Sequence, residues 1–130
     1  MKPAPIIIPN LNSREDDYAS LSAKGESFVI HEWQGSGPDC LHVHHSDDEA
    51  WHVLEGTLLF RFMDKTIKAP AGTTVFAPAG VPHTYSVSEE PGRYLIVLTP
   101  RLEKLIHALH SSPPEKHREI MLQFDTEMLE

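Results

Sequence analysis

Three imidazoles and one carboxylate stand at spacings that could complete the first coordination sphere of a divalent transition metal. His42-Val43-His44 is followed by four residues, then Glu49, then six residues, then Gly56. A second piece runs from Gly72 through Pro78-Ala79-Gly80, then two residues, to His83. Residues two apart on a strand point the same way, so His42 and His44 project together. The turn His45-Ser46-Asp47-Asp48 reverses the chain and brings Glu49 beside them at the start of the next strand. Gly56 is expected to end that strand in a tight turn. Pro78-Ala79-Gly80-Val81-Pro82 restricts the path of the chain into His83, so that ligand arrives with little freedom left to lose. A metal needs its ligands at about 2.0–2.2 Å in one arrangement, which makes such rigid delivery matter. A lone His-x-His would be weak evidence; ordered pieces with matched gaps are much stronger.

The elements that position these residues follow from the surrounding pattern. Short apolar or alternating runs cover 28–34, 40–44, 50–54, 57–63, 66–69, 74–76, 83–87 and 93–99. Turn signals separate them, among them Glu55-Gly56, Asp64-Lys65, Pro70-Ala71-Gly72 and Glu89-Glu90-Pro91-Gly92. Many short strands at regular spacing indicate an all-β sandwich or barrel. Residues 1–25 read as a polar N-terminal arm with one short strand at Ile6–Ile8, residues 26–99 as the barrel, and residues 100–130 as a helical extension of the same domain. Thr99-Pro100 reads as an N-cap followed by proline at the first helical position. Leu102, Leu105, Ile106 and Leu109 then form one apolar face. Ser112-Pro113-Pro114-Glu115 reads as a capping box for a second helix with a stripe of Ile120, Met121, Phe124 and Met128. The two helices are expected on the outside of the barrel or against a partner.

The chain resembles a cupin. The family's first motif is a glycine, about five residues, His-x-His, three or four residues, Glu, six residues, Gly. The second is Gly, five residues, Pro-x-Gly, two residues, His, three residues, Asn. His42, His44, Glu49, Gly56, Gly72, Pro78, Gly80 and His83 match. Gly37 lies one residue closer to His42 than the pattern asks, and Val87 stands where the second motif has Asn, a position that is not a ligand in the family. The resemblance implies a double-stranded β-helix, or jelly-roll, barrel with C-terminal helices. It also implies one divalent transition metal per chain (Fe, Mn, Ni, Cu or Zn) on His42, His44, Glu49 and His83. The helical tail is similar to that of small single-domain cupins often described as quercetin-dioxygenase-like.

Alternation predicts the pocket. Trp51 and Val53 share the face of Glu49; Leu58, Phe60 and Phe62 point inward and Arg61 outward; Tyr85 and Val87 share the face of His83; Cys40 shares that of His42. Tyr85, Trp51, Phe60, Phe62 and Cys40 are therefore the candidate pocket residues, in a mostly apolar cavity suited to a small, partly apolar or aromatic ligand. Filling the core is the competing role for Trp51, Phe60 and Phe62, and an inert buried thiol the competing role for Cys40. His31 is a candidate for the pocket mouth. His45 and His52 fall on the opposite face, and His107, His110 and His117 are expected in solvent.

Composition narrows the partners. A net charge of -8 argues against nucleic acid and anionic membranes. No apolar run approaches the length of a transmembrane helix. The proline-broken start is a poor signal peptide, so the cytoplasm is the expected compartment. Cys40 is the single cysteine, which excludes an internal disulfide.

Three activities are compatible. The first is a metal-dependent dioxygenase of a small enol or aromatic substrate, with Glu49 as general base. The second is a redox-neutral isomerase, lyase or decarboxylase using the metal as a Lewis acid. The third is a non-catalytic small-molecule-binding module. The strand at 93–99 is apolar on both faces, so the C-terminal helices or a second subunit must cover one of them, and a homodimer is expected.

Overall fold

In the computed structural model, which describes residues 4–8 and 21–130, eight strands form one antiparallel system closed at one end by helices. The strands are β1 (Leu21–Lys24), β2 (Val29–Gln34), β3 (His42–His44), β4 (Glu49–Phe62), β5 (Thr66–Pro70), β6 (Thr74–Ala77), β7 (His83–Leu98) and β8 (Thr126–Met128). Helices α1 (Pro100–His110) and α2 (His117–Gln123) lie between β7 and β8, with a 3-10 turn at Pro114–Lys116. The path β1-β2-β7-β3-β8 forms one side, and β4 pairs with β5, β6 and β7. The element order and pairing are those of a jelly-roll barrel.

Two expected turns are bulges instead. The runs at 50–54 and 57–63 are one strand, β4, and those at 83–87 and 93–99 are one strand, β7. The β4–β7 register shifts between Val53 and Leu58. This shift changes which residues face inward. Trp51 and Val53 are buried before it, and Leu58 and Phe60 after it. Strand β7 makes the same change of phase, from His83 and Tyr85 to Tyr94, Ile96 and Leu98. Gly56 (φ +75°) sits at the bulge, where a Cβ would lie 2.4 Å from the Glu89 carbonyl oxygen and 2.8 Å from the Gly92 nitrogen. The inward-facing assignments were therefore right although Gly56 does not end a strand. A bulge bends a strand and lets it continue around the barrel.

The other differences lie at the two ends. The described part of the arm, residues 4–8, carries no strand, so Ile6–Ile8 is not one; residues 1–3 and 9–20 of the arm lie outside the described residues. Leu21–Lys24 pairs with β2 and is part of the sheet. Thr99 caps α1 as expected, its hydroxyl accepting from the Leu102 amide at 3.1 Å. No side chain caps the second helical segment, and Ser112 to Glu115 do not form a capping box. Met128 is not on α2: a reversal at Asp125 (φ 56°) ends the helix and starts β8, which pairs with β3.

The helices do not pack on the outside of the barrel. Leu102 and Leu105 of α1 and Met121 of α2 share one buried cluster with Tyr94, Ile96 and Leu98 of β7. Their amphipathic faces find apolar partners in the barrel's mouth, which removes those side chains from water. Arg101 of α1 reaches buried Asp47 at 3.0 Å, and Glu103 reaches Lys24 at 3.1 Å and His31 at 3.2 Å.

Candidate metal centre

Strands β3, β4 and β7 bring the four predicted ligands together. His42 and His83 are direct cross-strand partners. The rings of His42, His44 and His83 lie with centroids 4.7–5.2 Å apart, all three buried. Their donor atoms fall within 4.8 Å of one another, a group that could hold a metal ion. Oε1 of Glu49 lies 3.1 Å from His44 Nε2 and 3.0 Å from His83 Nε2. The loop before His83 is tied down as expected. Gly80 donates to the His44 carbonyl at 2.8 Å, and the Ala79 amide donates to Asp48 Oδ1 at 2.8 Å.

Proton placement tests whether a metal fits. His42 Nδ1 faces the Cys40 carbonyl at 3.0 Å, and His83 Nδ1 faces the Val81 carbonyl at 2.9 Å. A carbonyl only accepts, so both Nδ1 atoms carry protons. His44 Nδ1 lies 2.8 Å from Thr126 Oγ1, and that hydroxyl donates to the Phe124 carbonyl at 3.3 Å, so it accepts from His44. Each neutral ring then turns an Nε2 lone pair toward the centre, and two of them face a carboxylate oxygen. Such an arrangement is repulsive unless positive charge lies between the lone pairs, either a proton or a metal ion. Ligands at right angles, each about 2.1 Å from a metal, stand ~3.0 Å apart, which matches the Glu49–histidine separations. The residues fit a divalent transition metal.

The electrostatics of the metal-free site agree. His42 is pushed down to about 4, first by burial and then by the adjacent His83 and His44 rings. Burial alone would raise the Glu49 carboxyl, but the bonds from His44 and His83 prevail and hold it at about 2. Burial works against a charge on His83, yet its bond to Glu49 leaves it raised.

A cavity of about 1230 Å³ opens onto this cluster. Tyr85, Tyr94, Ile96 and Cys40 line its barrel side, and Leu102, Leu105 and Met121 line its roof. The Tyr85 and Tyr94 hydroxyls are bonded to each other at 2.7 Å. Burial pushes Tyr94 up to about 12 and Tyr85 well above its ordinary range, so both stay protonated. Gly37 abuts the Tyr85 ring, where a Cβ would come within 2.4 Å.

Of the candidate pocket residues, Tyr85 and Cys40 line the cavity. Trp51, Phe60 and Phe62 do not line the cavity. Trp51 and Phe60 are fully buried behind it, Trp51 edge-on to His83 at 5.3 Å, and Phe62 stacks on Phe60. Their inward faces meet the interior of the sheet, which close packing fills, and the open space lies toward the helices. His31 is buried against Trp33 and Glu103 and is not at the mouth. His110 is exposed, as expected, at the edge of the cavity, whereas His117, also expected in solvent, is half-buried and lines it. His117 Nε2 meets the Leu109 and Ser112 carbonyls at 3.0 and 3.1 Å, closing the end of α1. Sequence reading missed Tyr94 as a lining residue, although its alternation with Ile96 was a usable signal. Nothing in the sequence pointed to Thr126.

Inner histidines and a glutamate thus converge in a β-barrel beneath a roofed, mostly apolar cavity, and the histidine group could hold a metal ion. The chain belongs to the cupin family, whose domain matches residues 24–98. It is similar to a cupin-2 domain containing protein from Shewanella frigidimarina, at 25% identity and a TM-score of 0.58, covering 71% of this chain and 94% of that one. It is also similar to a conserved protein with a double-stranded β-helix domain from Klebsiella pneumoniae, at 20% identity and a TM-score of 0.54, covering 72% and 84%. KdgF from Halomonas matches at 14% identity and a TM-score of 0.54, covering 71% and 90%. None of the curated proteins matches this chain. Among the described residues no helix is long and apolar enough to cross a membrane.

Proposed function

We propose that the protein holds one divalent transition metal through His42, His44, Glu49 and His83 and acts as a dioxygenase on a small enol or aromatic substrate. The observation that carries this reading is the convergence of three Nε2 lone pairs and a carboxylate at the inner end of a roofed, mostly apolar cavity. When bound, the metal supplies an electrophilic centre with positions open to substrate. The Nδ1 bonds of the three histidines hold the rings in one orientation. Leu102, Leu105 and Met121 exclude water from above. Glu49 takes the proton of an enol or phenol. Leaving the metal in part would free its carboxylate, buried beside His44 and His83, for that role. The Tyr85–Tyr94 pair has two protons and uses one internally, leaving one hydroxyl to donate to a substrate oxygen.

That protonated hydroxyl pair also favours a second reading, a redox-neutral isomerase or lyase in which Tyr85 or Tyr94 returns a proton and the metal polarises a carbonyl. The third activity, ligand binding without turnover, has no geometric feature that favours it over these two.

Elemental analysis of protein purified without added metal or chelator, beside a His42→Ala/His44→Ala variant, is the first test. About one equivalent of iron, copper, nickel or manganese, lost in the variant, followed by oxygen uptake with enols, flavonols or catechols, is the expected result. Stoichiometric zinc with turnover that survives strict anaerobiosis selects the second reading. No metal after reconstitution overturns both. We further propose a cytoplasmic homodimer. Phe28 and Phe76, 55% and 59% exposed, flank a groove with Val97 that a second subunit could cover. Sedimentation that finds only monomer at high micromolar concentration removes the dimer.

A further inference from the structure

The three histidines are not held alike. His42 and His83 each donate Nδ1–H to the carbonyl two residues earlier, Cys40 and Val81, so their own strands orient them. His44 donates to Thr126 Oγ1, 82 residues away in the chain and outside the matched cupin domain. Thr126 is 1% exposed, and its hydroxyl passes its own proton to the Phe124 carbonyl. Its lone pair is therefore committed to accepting from His44, which keeps the His44 proton on Nδ1 and turns Nε2 toward Glu49.

Strand β8 is fixed in this position along its whole length. It pairs with β3 in register, Thr126 opposite His44, Glu127 opposite Val43 and Met128 opposite His42. The His45 amide donates to the Asp125 carbonyl at 2.9 Å on one side, and the Leu129 amide donates to the Leu41 carbonyl at 2.8 Å on the other. Glu130 then accepts from the Leu41 amide at 2.8 Å and from Arg61 at 2.6 and 2.8 Å. Met128 lines the cavity from the same strand. The segment that follows the roof helices thus forms one wall of the histidine cluster.

We infer that β8 is a working part of the metal centre and that Thr126 is a positioning residue, setting the tautomer and aim of His44. This inference rests on the metal-binding reading above. Partners of this kind typically change metal affinity by 10–100-fold when removed. Thr126→Val keeps shape and burial but loses the acceptor; Thr126→Ser keeps it.

Competition titrations of Mn²⁺ and Zn²⁺ into wild type and both variants read the effect. The expected result is a 10–100-fold loss for Thr126→Val, most of it restored in Thr126→Ser. A merely structural contribution from the threonine methyl predicts the opposite order. Nitrogen–proton correlation spectra of the wild-type imidazoles give a second measurement that needs no variant to fold. His44 is expected as the Nδ1–H tautomer, its proton slow to exchange, with zinc bound. Unchanged affinity in Thr126→Val, equal losses in both variants, or a His44 proton on Nε2 overturns the inference. Wild-type binding with an unaffected valine variant overturns this inference alone, whereas a wild type that takes up neither ion overturns the metal reading beneath it.

Discussion

Gly56 and Gly92 meet across β4 and β7 at a distance no side chain tolerates. Gly56 combines a φ of +75° with backbone atoms of Glu89 and Gly92 within 2.8 Å of any added Cβ. Neither a side chain nor the neighbouring backbone can move aside cheaply there. Gly56→Ala is expected to cost at least ~1–3 kcal/mol of unfolding free energy in a denaturant titration. A variant as stable as wild type would mean that the bulge relaxes freely. At this scale the sequence was highly legible. His42, His44, Glu49 and His83 were singled out by their spacing and the fold brings them together, because strand alternation and rigid turns are local properties. Thr126 was not, because its role depends on a pairing 82 residues away that no local pattern encodes. Trp51 and Phe60 were placed on the correct face, but alternation tells only inward from outward. It cannot distinguish packed interior from open cavity.

Between β2 and α1 lies a buried contact that ties the roof to the sheet. His31 Nε2 lies 3.2 Å from Glu103 Oε2, and Lys24 of β1 shares that carboxylate at 3.1 Å. His31 is lowered from 6.5, by burial first, with Lys24 and His107 adding to the effect and Glu103 opposing it. A histidine depressed on folding binds fewer protons in the native state than in the unfolded state. Its contribution to stability is therefore complete above pH 6.5 and is lost as pH falls through its lower folded value. Glu103 is also lowered: burial opposes its charge but Lys24 prevails, so its contribution too is lost towards acid. Unfolding free energy is expected to fall below pH 6.5 with a slope that His31→Gln reduces. An identical slope in the variant would assign the acid sensitivity elsewhere. Most of the elements themselves were readable: all eight runs map onto strand segments with small changes of boundary, two pairs of them merging into β4 and β7, and the Thr99 cap and α1 were found directly. The losses came where a local signal had two meanings. Pro91-Gly92 and Glu55-Gly56 mark bulges as readily as turns, and Met128 continued a helical stripe by coincidence of spacing across the Asp125 reversal.

For the molecule as a whole, the pairings that build the candidate centre join distant parts of the chain. Strand β2 meets β7 with Val29 opposite Leu98, and β3 meets β8 with His44 opposite Thr126. Closing such long loops has to precede any reward from the contacts they form, so a chain of this topology folds slowly for its size. An ion held by His42, His44, Glu49 and His83 sits where those late-closing segments converge. It can bind tightly only after the closure that dominates the folding barrier has taken place. Its stabilisation would therefore enter the rate of unfolding and leave the rate of folding almost untouched. Seen this way the centre is also a clasp on the lifetime of the native barrel, and its loading state would set how often the chain opens to proteases.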